Sequence, residues 1–368
     1  MVEHVKSKKR LKQFVYFVKK LYHNDSHYVF PLFGVQMKEL TKAVLEDQKY
    51  TAIMAIRNNQ ICGRLLYTYD NTRDRSDKIC FFSFFDAINN QEIASELFKE
   101  MEADMLRNNI SYAEGSFTPY DPDTRRGILV SGFDIDPTIF TTYNFPYYQT
   151  LIENCGYKKK IDTVSLGVDI GSKSGKALKA ISAMFRRRHN VTIGPLDLGN
   201  LDKEMDAIYQ IFQKATSELT YQEAPSMSTI RNVAKNLKFF VNPDFIQIAR
   251  ENDTGEPIGF CLALPDYNQL FKKTKGKIRP LYLLLNKHKI TKVRGMLQYV
   301  VPEYQGTGLI GALFEGIFSN FPRYGITDLE AGTMLEDNPR PIQVFERLGG
   351  KIIKVYRIYG KEMNKDDL

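Results

Sequence analysis

Residues 292–311, KVRGMLQYVVPEYQGTGLIG, decide the fold. The β-branched and aliphatic residues of the first half predict a strand, which ends at Pro302 because proline has no N–H to donate to a sheet. Gly306 and Gly308 follow, and both can adopt the positive φ that lets backbone N–H groups converge on an anion. Apolar residues then recur with helical spacing over residues 309–321. The start of this helix would direct its free N–H groups at the turn, which predicts a phosphate-binding loop.

The segments after this helix follow a defined order. A second strand is predicted over residues 326–334 (ITDLEAGTM), and Asn338 precedes a short amphipathic helix at 342–348. A final strand follows at 351–359. The stretches VVPEYQGTGLIGALF and LEAGTMLEDNPRPIQVFERLGGK resemble the GNAT superfamily of acyl-CoA-dependent N-acyltransferases. Its signature is a strand, a Gln/Arg-x-x-Gly-x-Gly/Ala turn and helix, a strand, and then an Asn before a last helix.

The resemblance implies direct attack of an amine on an acyl-CoA thioester, with no covalent enzyme intermediate. The pyrophosphate would lie on the N–H groups of the turn, and a backbone N–H near residues 299–301 would stabilise the developing oxyanion. Asn338 would bind the pantetheine arm or the adjacent loop, or would serve as a helix N-cap. The acyl-CoA-binding positions implied are Tyr299, Val300, Val301, Gln305, Gly306, Thr307, Gly308, Leu309, Ile310 and Asn338.

The resemblance also implies a general base, because a protonated amine has no lone pair with which to attack. Glu330, on the second strand, is the candidate base, acting directly or through water, unless strand alternation turns it to the surface. Two positions depart from the family pattern. Ile310 stands where Gly or Ala is usual, and Phe345 replaces the tyrosine that often acts as general acid. The thiolate would then take its proton from Tyr304, from Tyr356 or Tyr359, or from solvent.

The first half of the chain repeats the order of the second. A hairpin turning at Asn58-Asn59, a buried strand at 78–86, a helix at 92–107 and a strand at 111–117 are predicted there. No glycine follows the buried strand, so this copy lacks the phosphate loop. We therefore predict an α/β fold with a mixed sheet and two tandem GNAT-like domains. A degenerate domain would span residues 1–170, a linking helix 171–189 and the acyl-CoA-binding domain 190–368.

Two long segments stand out from this order. Residues 118–142 (TPYDPDTRRGILVSGFDIDPTIFTT) form either a substrate-binding surface or a self-packed loop with Asp/Arg pairs. Residues 266–291 form a lysine-rich insertion that would lie near the acceptor side and help to select the substrate. A basic amphipathic helix at 11–21 either docks on the first domain or attaches to a membrane surface, and docking is favoured.

Composition narrows the class of protein. The 368 residues carry a net charge of +8 and are 43% hydrophobic, which is typical of globular domains with adequate cores. The basic runs lack interleaved aromatic residues, so nucleic-acid binding is disfavoured. No apolar run is long enough for a transmembrane helix, and no secretory signal is evident. The four cysteines contain no CxxC pair and the five histidines lack ligand spacing, so we expect free thiols in the cytoplasm and no metal.

Three functions remain open on the sequence. The favoured one is an acyl-CoA N-acyltransferase, most simply an N-acetyltransferase, whose acceptor is a small amine, an amino acid or a protein N-terminus. An aminoacyl- or long-chain-acyl transferase on the same fold is the second. A noncatalytic acyl-CoA-binding or scaffold protein is the third, and Ile310 and Phe345 are the residues that favour it.

Overall fold

The computed structural model describes residues 1–69, 79–116, 126–216, 225–237 and 240–363. Its strands are β1 (Val2–His4), β2 (Tyr50–Arg57), β3 (Gln60–Tyr69), β4 (Ile79–Ala87), β5 (Tyr112–Gly115), β6 (Ile128–Ser131), β7 (Lys158–Asp169), β8 (Val191–Pro195), β9 (Ile246–Glu251), β10 (Pro257–Pro265), β11 (Lys292–Val300), β12 (Asp328–Leu335) and β13 (Lys351–Glu362).

The helices alternate with these strands along the chain. They are α1 (Lys8–Leu21), α2 (Phe33–Leu40), α3 (Gln91–Arg107), α4 (Tyr148–Glu153), α5 (Ser172–Arg188), α6 (Leu201–Thr216), α7 (Met227–Leu237), α8 (Asn268–Thr274), α9 (Pro280–Asn286), α10 (Leu309–Phe318), α11 (Phe321–Tyr324) and α12 (Pro339–Arg347). None of the helices described is both long and apolar enough to cross a bilayer.

All the described strands belong to one mixed sheet, which confirms the predicted fold class. Its order is β1-β2-β3-β4-β5-β13-β7-β12-β11-β10-β9-β8, and β6 pairs with β13 beside this path. Most neighbours are antiparallel, while β4 with β5 and β11 with β12 are parallel. Each parallel pair is joined by a crossover helix, α3 in one case and α10 in the other, as parallel pairing requires.

The two halves share this arrangement and exchange their last strands. In each half a hairpin (β2–β3 or β9–β10) leads to a third antiparallel strand, the crossover helix and the parallel strand. β7, which ends the first half, pairs with β12 of the second. β13, which ends the second half, pairs with β5 and β6 of the first. The centre of the sheet is therefore built from both halves.

Helix α1 buries the apolar face that its sequence pattern predicts. Leu11, Phe14, Val15 and Val18 are fully buried in the core of the first half. The preferred interpretation of this helix, docking on the first domain, is confirmed. Of the predicted long loop, residues 118–125 lie outside the described part of the chain, whereas residues 126–142 are described and pack on the second half.

The two faces of β12 have different chemistry. Leu329 joins the apolar core that α10 and α12 cover, where it lies with Phe314 and Phe345. Because successive side chains of a strand point to opposite faces, Glu330 points the other way. That opposite face is covered by residues 132–143 of the first half and by the start of α8.

Candidate functional site

The glycine turn adopts the backbone conformation that its sequence predicts. Gly306 and Gly308 have φ values of 76° and 100°, in the region that side chains disfavour. Gly308 immediately precedes α10, so the free N–H groups of the first helical turn face the glycine turn. Helix α5 braces this end: a Cβ at Gly311 would come within 2.6 Å of Ile181 Cγ2. The arrangement can accept an anion from backbone donors.

Gln305, at the start of the turn, connects it to β11 and to α12. Gln305 Nε2 donates to the carbonyl oxygen of Val300, at 3.3 Å, and Arg340 Nη1 donates to Gln305 Oε1, at 3.4 Å. Arg340 lies in the first turn of α12 and brings a cation to the turn, although sequence reasoning did not single it out. Asn338 precedes α12, and its side chain makes no capping hydrogen bond there.

Strands β11 and β12 separate beside the turn. They pair only from Lys292 with Asp328 to Gly295 with Ala331, whereas β10 follows β11 as far as Val300. The N–H of Val301 donates to the Ile258 carbonyl oxygen on the β10 side, at 3.0 Å. Backbone groups alternate along a strand, so the N–H of Val300 faces the opposite edge, which β12 has left. Among residues 299–301, Val300 is thus the residue whose backbone amide faces the open edge.

An apolar cavity of about 40 Å³ occupies the space between the separated strands. Phe345 is 3% exposed and lines it, with its ring centroid 5.1 Å from that of Phe314. The other lining residues are Leu262, Ala263, Gly295, Met296, Leu297, Gln298, Phe314, Ile317, Phe318, Phe321, Leu329, Gly332, Thr333 and Met334. Phe345 stands where the GNAT superfamily often has a tyrosine, and it adds an apolar ring to the mainly apolar wall of this cavity.

A buried ion pair lies on the opposite face of the sheet. Lys354 Nζ donates to Glu330 Oε2 and to the carbonyl oxygen of Asp136, each at 2.8 Å. Both charged side chains are 1% exposed. Burial lowers the pKa of Lys354, and the charge of Glu330 opposes that change. Glu330 Oε1 is buried with no hydrogen-bond partner among the residues described, so one carboxylate oxygen remains available as an acceptor.

Two more buried charges join this face to the first half. Arg294 donates to the carbonyl oxygens of Gly332, at 3.0 Å, and Ile139, at 2.7 Å. Asp266 accepts the backbone N–H groups of Ile139, at 2.8 Å, and Asn268, at 3.2 Å. Burial, followed by the charge of Glu330, raises the pKa of Asp266 to about 6. Residues 132–143 are thereby fixed against the second half by charged side chains.

The three residues predicted to transfer protons, Glu330, Tyr304 and Tyr356, lie in two different places. Tyr356 is buried on the Glu330 face, where burial and then the charge of Glu330 raise its pKa, and a polar contact with Thr141 partly offsets the rise. Tyr304 instead donates to Glu251 Oε1 at 2.5 Å, and this hydrogen bond raises its pKa to about 12. The structure brings Glu330 and Tyr356 together and holds Tyr304 beside the glycine turn.

Sequence reasoning missed three members of the polar cluster, Arg294, Lys354 and Asp266. A signal was available for the first two, because each is a charge with uncharged, mainly apolar neighbours inside a strand, in KVRGMLQYV and KIIKVYRIY. A charge on an inward strand position is costly unless it is paired, so such residues predict partners. Within the described ranges, no group of three or more His, Cys, Asp or Glu side chains could hold a metal ion.

Comparison with known proteins gives the fold. No protein-family profile matches the chain. A GCN5-related glucosamine N-acetyltransferase region of a fungal multidomain β-N-acetylglucosaminidase matches with a TM-score of 0.61 and 12% identity, over 98% of this chain and 38% of that one. A tandem GNAT protein from the clavulanic acid biosynthesis pathway matches with a TM-score of 0.58 and 10% identity, over 100% of both chains. The chain has a tandem GNAT fold.

Two bacterial proteins are similar to the chain along its length. Protein YghO of Escherichia coli strain K12 is 28% identical over 371 residues, which cover 97% of this chain and 94% of that protein. The bacterial ceramide synthase of Caulobacter vibrioides is 24% identical over 98% of this chain and 96% of that protein. The tandem GNAT-like fold, predicted from the glycine-turn motif and from the repeated order of elements in the two halves, is confirmed by structural similarity.

Proposed function

We propose that the protein is an acyl-CoA N-acyltransferase that joins a long acyl chain to the amine of a lipid-like amino alcohol. The carrying observation is the separation of β11 from β12, which leaves an apolar cavity between the strands and frees the edge of β11 that runs on to the glycine turn at the start of α10. The turn suits the phosphates of CoA, and the cavity suits the apolar part of an acyl-pantetheine arm. Full-length similarity to a bacterial ceramide synthase supports a lipid-like acceptor, because a ceramide is an N-acylated long-chain amino alcohol.

The proposed reaction needs a donor for the oxyanion. The amine nitrogen attacks the thioester carbonyl carbon, a new C–N bond forms, and negative charge moves to the carbonyl oxygen. The N–H of Val300 faces the open edge of β11 and is the proposed donor. Loss of such a donor in other enzymes costs about 3–4 kcal/mol of transition-state stabilisation. Gln305 bonds the Val300 carbonyl and would hold this part of the backbone in place.

Proton transfers complete the proposed reaction. The amine loses its proton through water to Glu330, whose Oε1 has no partner among the described residues. The oxyanion then re-forms the carbonyl as the C–S bond breaks, and the CoA thiolate takes a proton from Tyr356, which lies on the same face as Glu330. The second proton lost by the attacking nitrogen returns to Tyr356 through water, so the tyrosine is regenerated. Lys354 and Asp266 act as positioning residues: Lys354 holds one oxygen of Glu330, and Asp266 fixes the segment around Ile139.

The direct test is an assay of the purified protein with acetyl-, octanoyl- and palmitoyl-CoA. Sphinganine, a small aliphatic amine and a peptide with a free N-terminus serve as acceptors, and the readouts are thiol release and amide formation by mass spectrometry. Amide formation from palmitoyl-CoA and sphinganine supports the proposal. Acetylation of the small amine or peptide alone would contradict the lipid assignment. CoA binding without turnover would favour a binding protein, and no CoA binding would favour another carrier, such as an aminoacyl-tRNA.

A further inference from the structure

Four strongly exposed large apolar side chains of the described chain gather around one short helix. Leu281, Leu284 and Leu285 of α9 are 69%, 62% and 62% exposed, and Ile278 just before the helix is 51% exposed. Single exposed leucines are ordinary on protein surfaces. A cluster of four within eight residues is an apolar patch, and such patches mark interaction surfaces.

The same segment is strongly basic. Residues 272–289 contain six lysines, one arginine and one histidine, and no aspartate or glutamate. Lys272 pairs with Asp136, while the other five lysines and Arg279 make no ion pair within the described part of the chain. The exposed leucines are therefore flanked on both sides of α9 by uncompensated positive charge. A partner that fits this surface must offer apolar material behind a negatively charged layer.

Helix α9 is held in place by its other side. Tyr282 and Leu283 pack on a buried cluster that includes Leu264, Tyr267 and Phe271. The approach to the helix is anchored as well, because the carbonyl oxygen of Gly276 accepts the N–H of Phe33, at 3.2 Å. The apolar face thus belongs to a packed element that presents its leucines outward while two of its residues enter the core.

Helix α1 shows that this exposure is specific to α9. It is also basic and amphipathic, but the apolar residues of its inner face, including Phe14 and Val18, are buried. Its pattern is therefore explained by packing on the first half. Helix α9 itself carries no charge, but lysines lie on both sides of it in the chain, and the described part of the protein leaves three of its leucines exposed.

The surface and the cavity between β11 and β12 share a supporting cluster. Leu262 and Met296 line that cavity and belong to the group that packs with Tyr282 and Leu283. The buried cluster that supports α9 therefore also supports part of the cavity wall.

We propose that residues 272–289 dock the protein on an anionic lipid bilayer, with the α9 leucines inserted at the interface and the lysines over the headgroups. Lysines near an anionic membrane are attracted by its surface potential, and apolar side chains add binding energy by leaving water. A bilayer supplies both features at once. This docking is independent of the proposed reaction, so binding is measured without substrates.

The test is flotation of the full chain with vesicles of phosphatidylglycerol and phosphatidylcholine, against vesicles of phosphatidylcholine alone. We expect binding to the anionic vesicles that weakens as salt rises. Leu281→Ser with Leu285→Ser should weaken it on the order of a hundredfold, since each inserted leucine contributes about tenfold or more. The matched control is Val233→Ser with Ile352→Ser, two exposed apolar residues on other elements. Its binding should equal the wild type's.

A charge pair completes the design. Lys287→Glu with Lys289→Glu should weaken binding on the order of thirtyfold or more, whereas Lys99→Glu with Lys351→Glu, the same charge change at exposed positions elsewhere, should change it little. Thermal midpoints verify that each variant is folded. Undiminished binding of both α9 variants, or binding that does not require anionic lipid, would overturn the proposal. So would a dimer that the leucine substitutions dissociate without any vesicle binding, because the patch would then be a self-association surface.

Discussion

Glu330 and Lys354 form a buried ion pair that spans the exchanged strands of the two halves. Lys354 Nζ lies 2.8 Å from Glu330 Oε2, and each side chain is 1% exposed. Glu330 is on β12 and Lys354 on β13, with β7 of the first half between them. Lys354 also donates to Asp136 in the segment that covers this face. The pair therefore links the proposed base to the contact between the halves.

Breaking this pair from one side should destabilise the fold. Lys354→Met leaves Glu330 buried without its cation, and we expect the free energy of unfolding to fall by about 3–5 kcal/mol. In Lys354→Met with Glu330→Gln the buried charge is gone, so much of that loss should be recovered. Urea unfolding of the two single variants and the double variant measures the coupling. Purely additive effects would contradict the ion pair.

Replacing the proposed base should lower turnover with little effect on CoA binding. Glu330→Gln keeps an acceptor for Lys354 and removes the proton-accepting carboxylate. Because fewer free amines are present at low pH, the deficit in kcat should be largest there. A pH profile of kcat, with CoA affinity from calorimetry, tests this. Unaltered turnover across the pH range would rule out Glu330 as the base.

The glycine turn should tolerate a neutral side chain better than a charged one. Gly308→Asp places a carboxylate where the phosphates are proposed to lie, so CoA binding should be lost. Gly308→Asn is the matched control, since it brings the same size and the same strain at φ 100° without the charge. Calorimetric titration with CoA compares them. Equal affinity of the two variants would exclude an anion site at this turn.

Asp266 should oppose folding at neutral pH. Burial raises its pKa from 3.8 to about 6, so the folded state binds this proton more tightly than the unfolded chain. The stability contributed by protonation is present below about pH 4 and is lost as pH rises through about 6. Asp266→Asn keeps an oxygen acceptor and has no charge. Relative to the wild type, it should gain up to about 3 kcal/mol between about pH 4 and pH 7 in urea unfolding. An identical difference at both pH values would refute this.

Enlarging the cavity should shift the choice of acyl chain. Phe345→Leu removes ring volume from the cavity wall and should cost about 1–2 kcal/mol of stability. Each additional buried methylene is worth about fourfold in binding, so the kcat/KM for palmitoyl-CoA relative to acetyl-CoA should rise several-fold. Phe245→Leu is the control, since Phe245 is equally buried in the same core and does not line the cavity. A similar shift in both variants would show that this cavity does not determine which acyl-chain length is preferred.

Local sequence patterns predicted the elements on which the fold depends. The turn at Gly306 and Gly308 was predictable because its positive φ values are a property of glycine itself. The hairpin at Asn58-Asn59 followed from the same local preference, and both asparagines have positive φ. Apolar periodicity likewise predicted the buried face of α1. These features depend on neighbours in the chain, so the sequence was sufficient.

The remaining features required the tertiary structure. Dividing the sequence into two successive domains does not reveal that β7 and β13 exchange positions in the sheet. Strand pairing is decided by contacts between residues that are far apart in the chain. That exchange brings Lys354 to Glu330 and lays the segment around Ile139 over Asp266. The sequence showed basic residues beside apolar ones both in the helix at 11–21 and in the insertion at 266–291, and only packing buried the apolar face of α1 and left the leucines of α9 in solvent. The sequence by itself thus determined the elements and the glycine turn, and the tertiary structure decided which charges meet and which apolar faces remain uncovered.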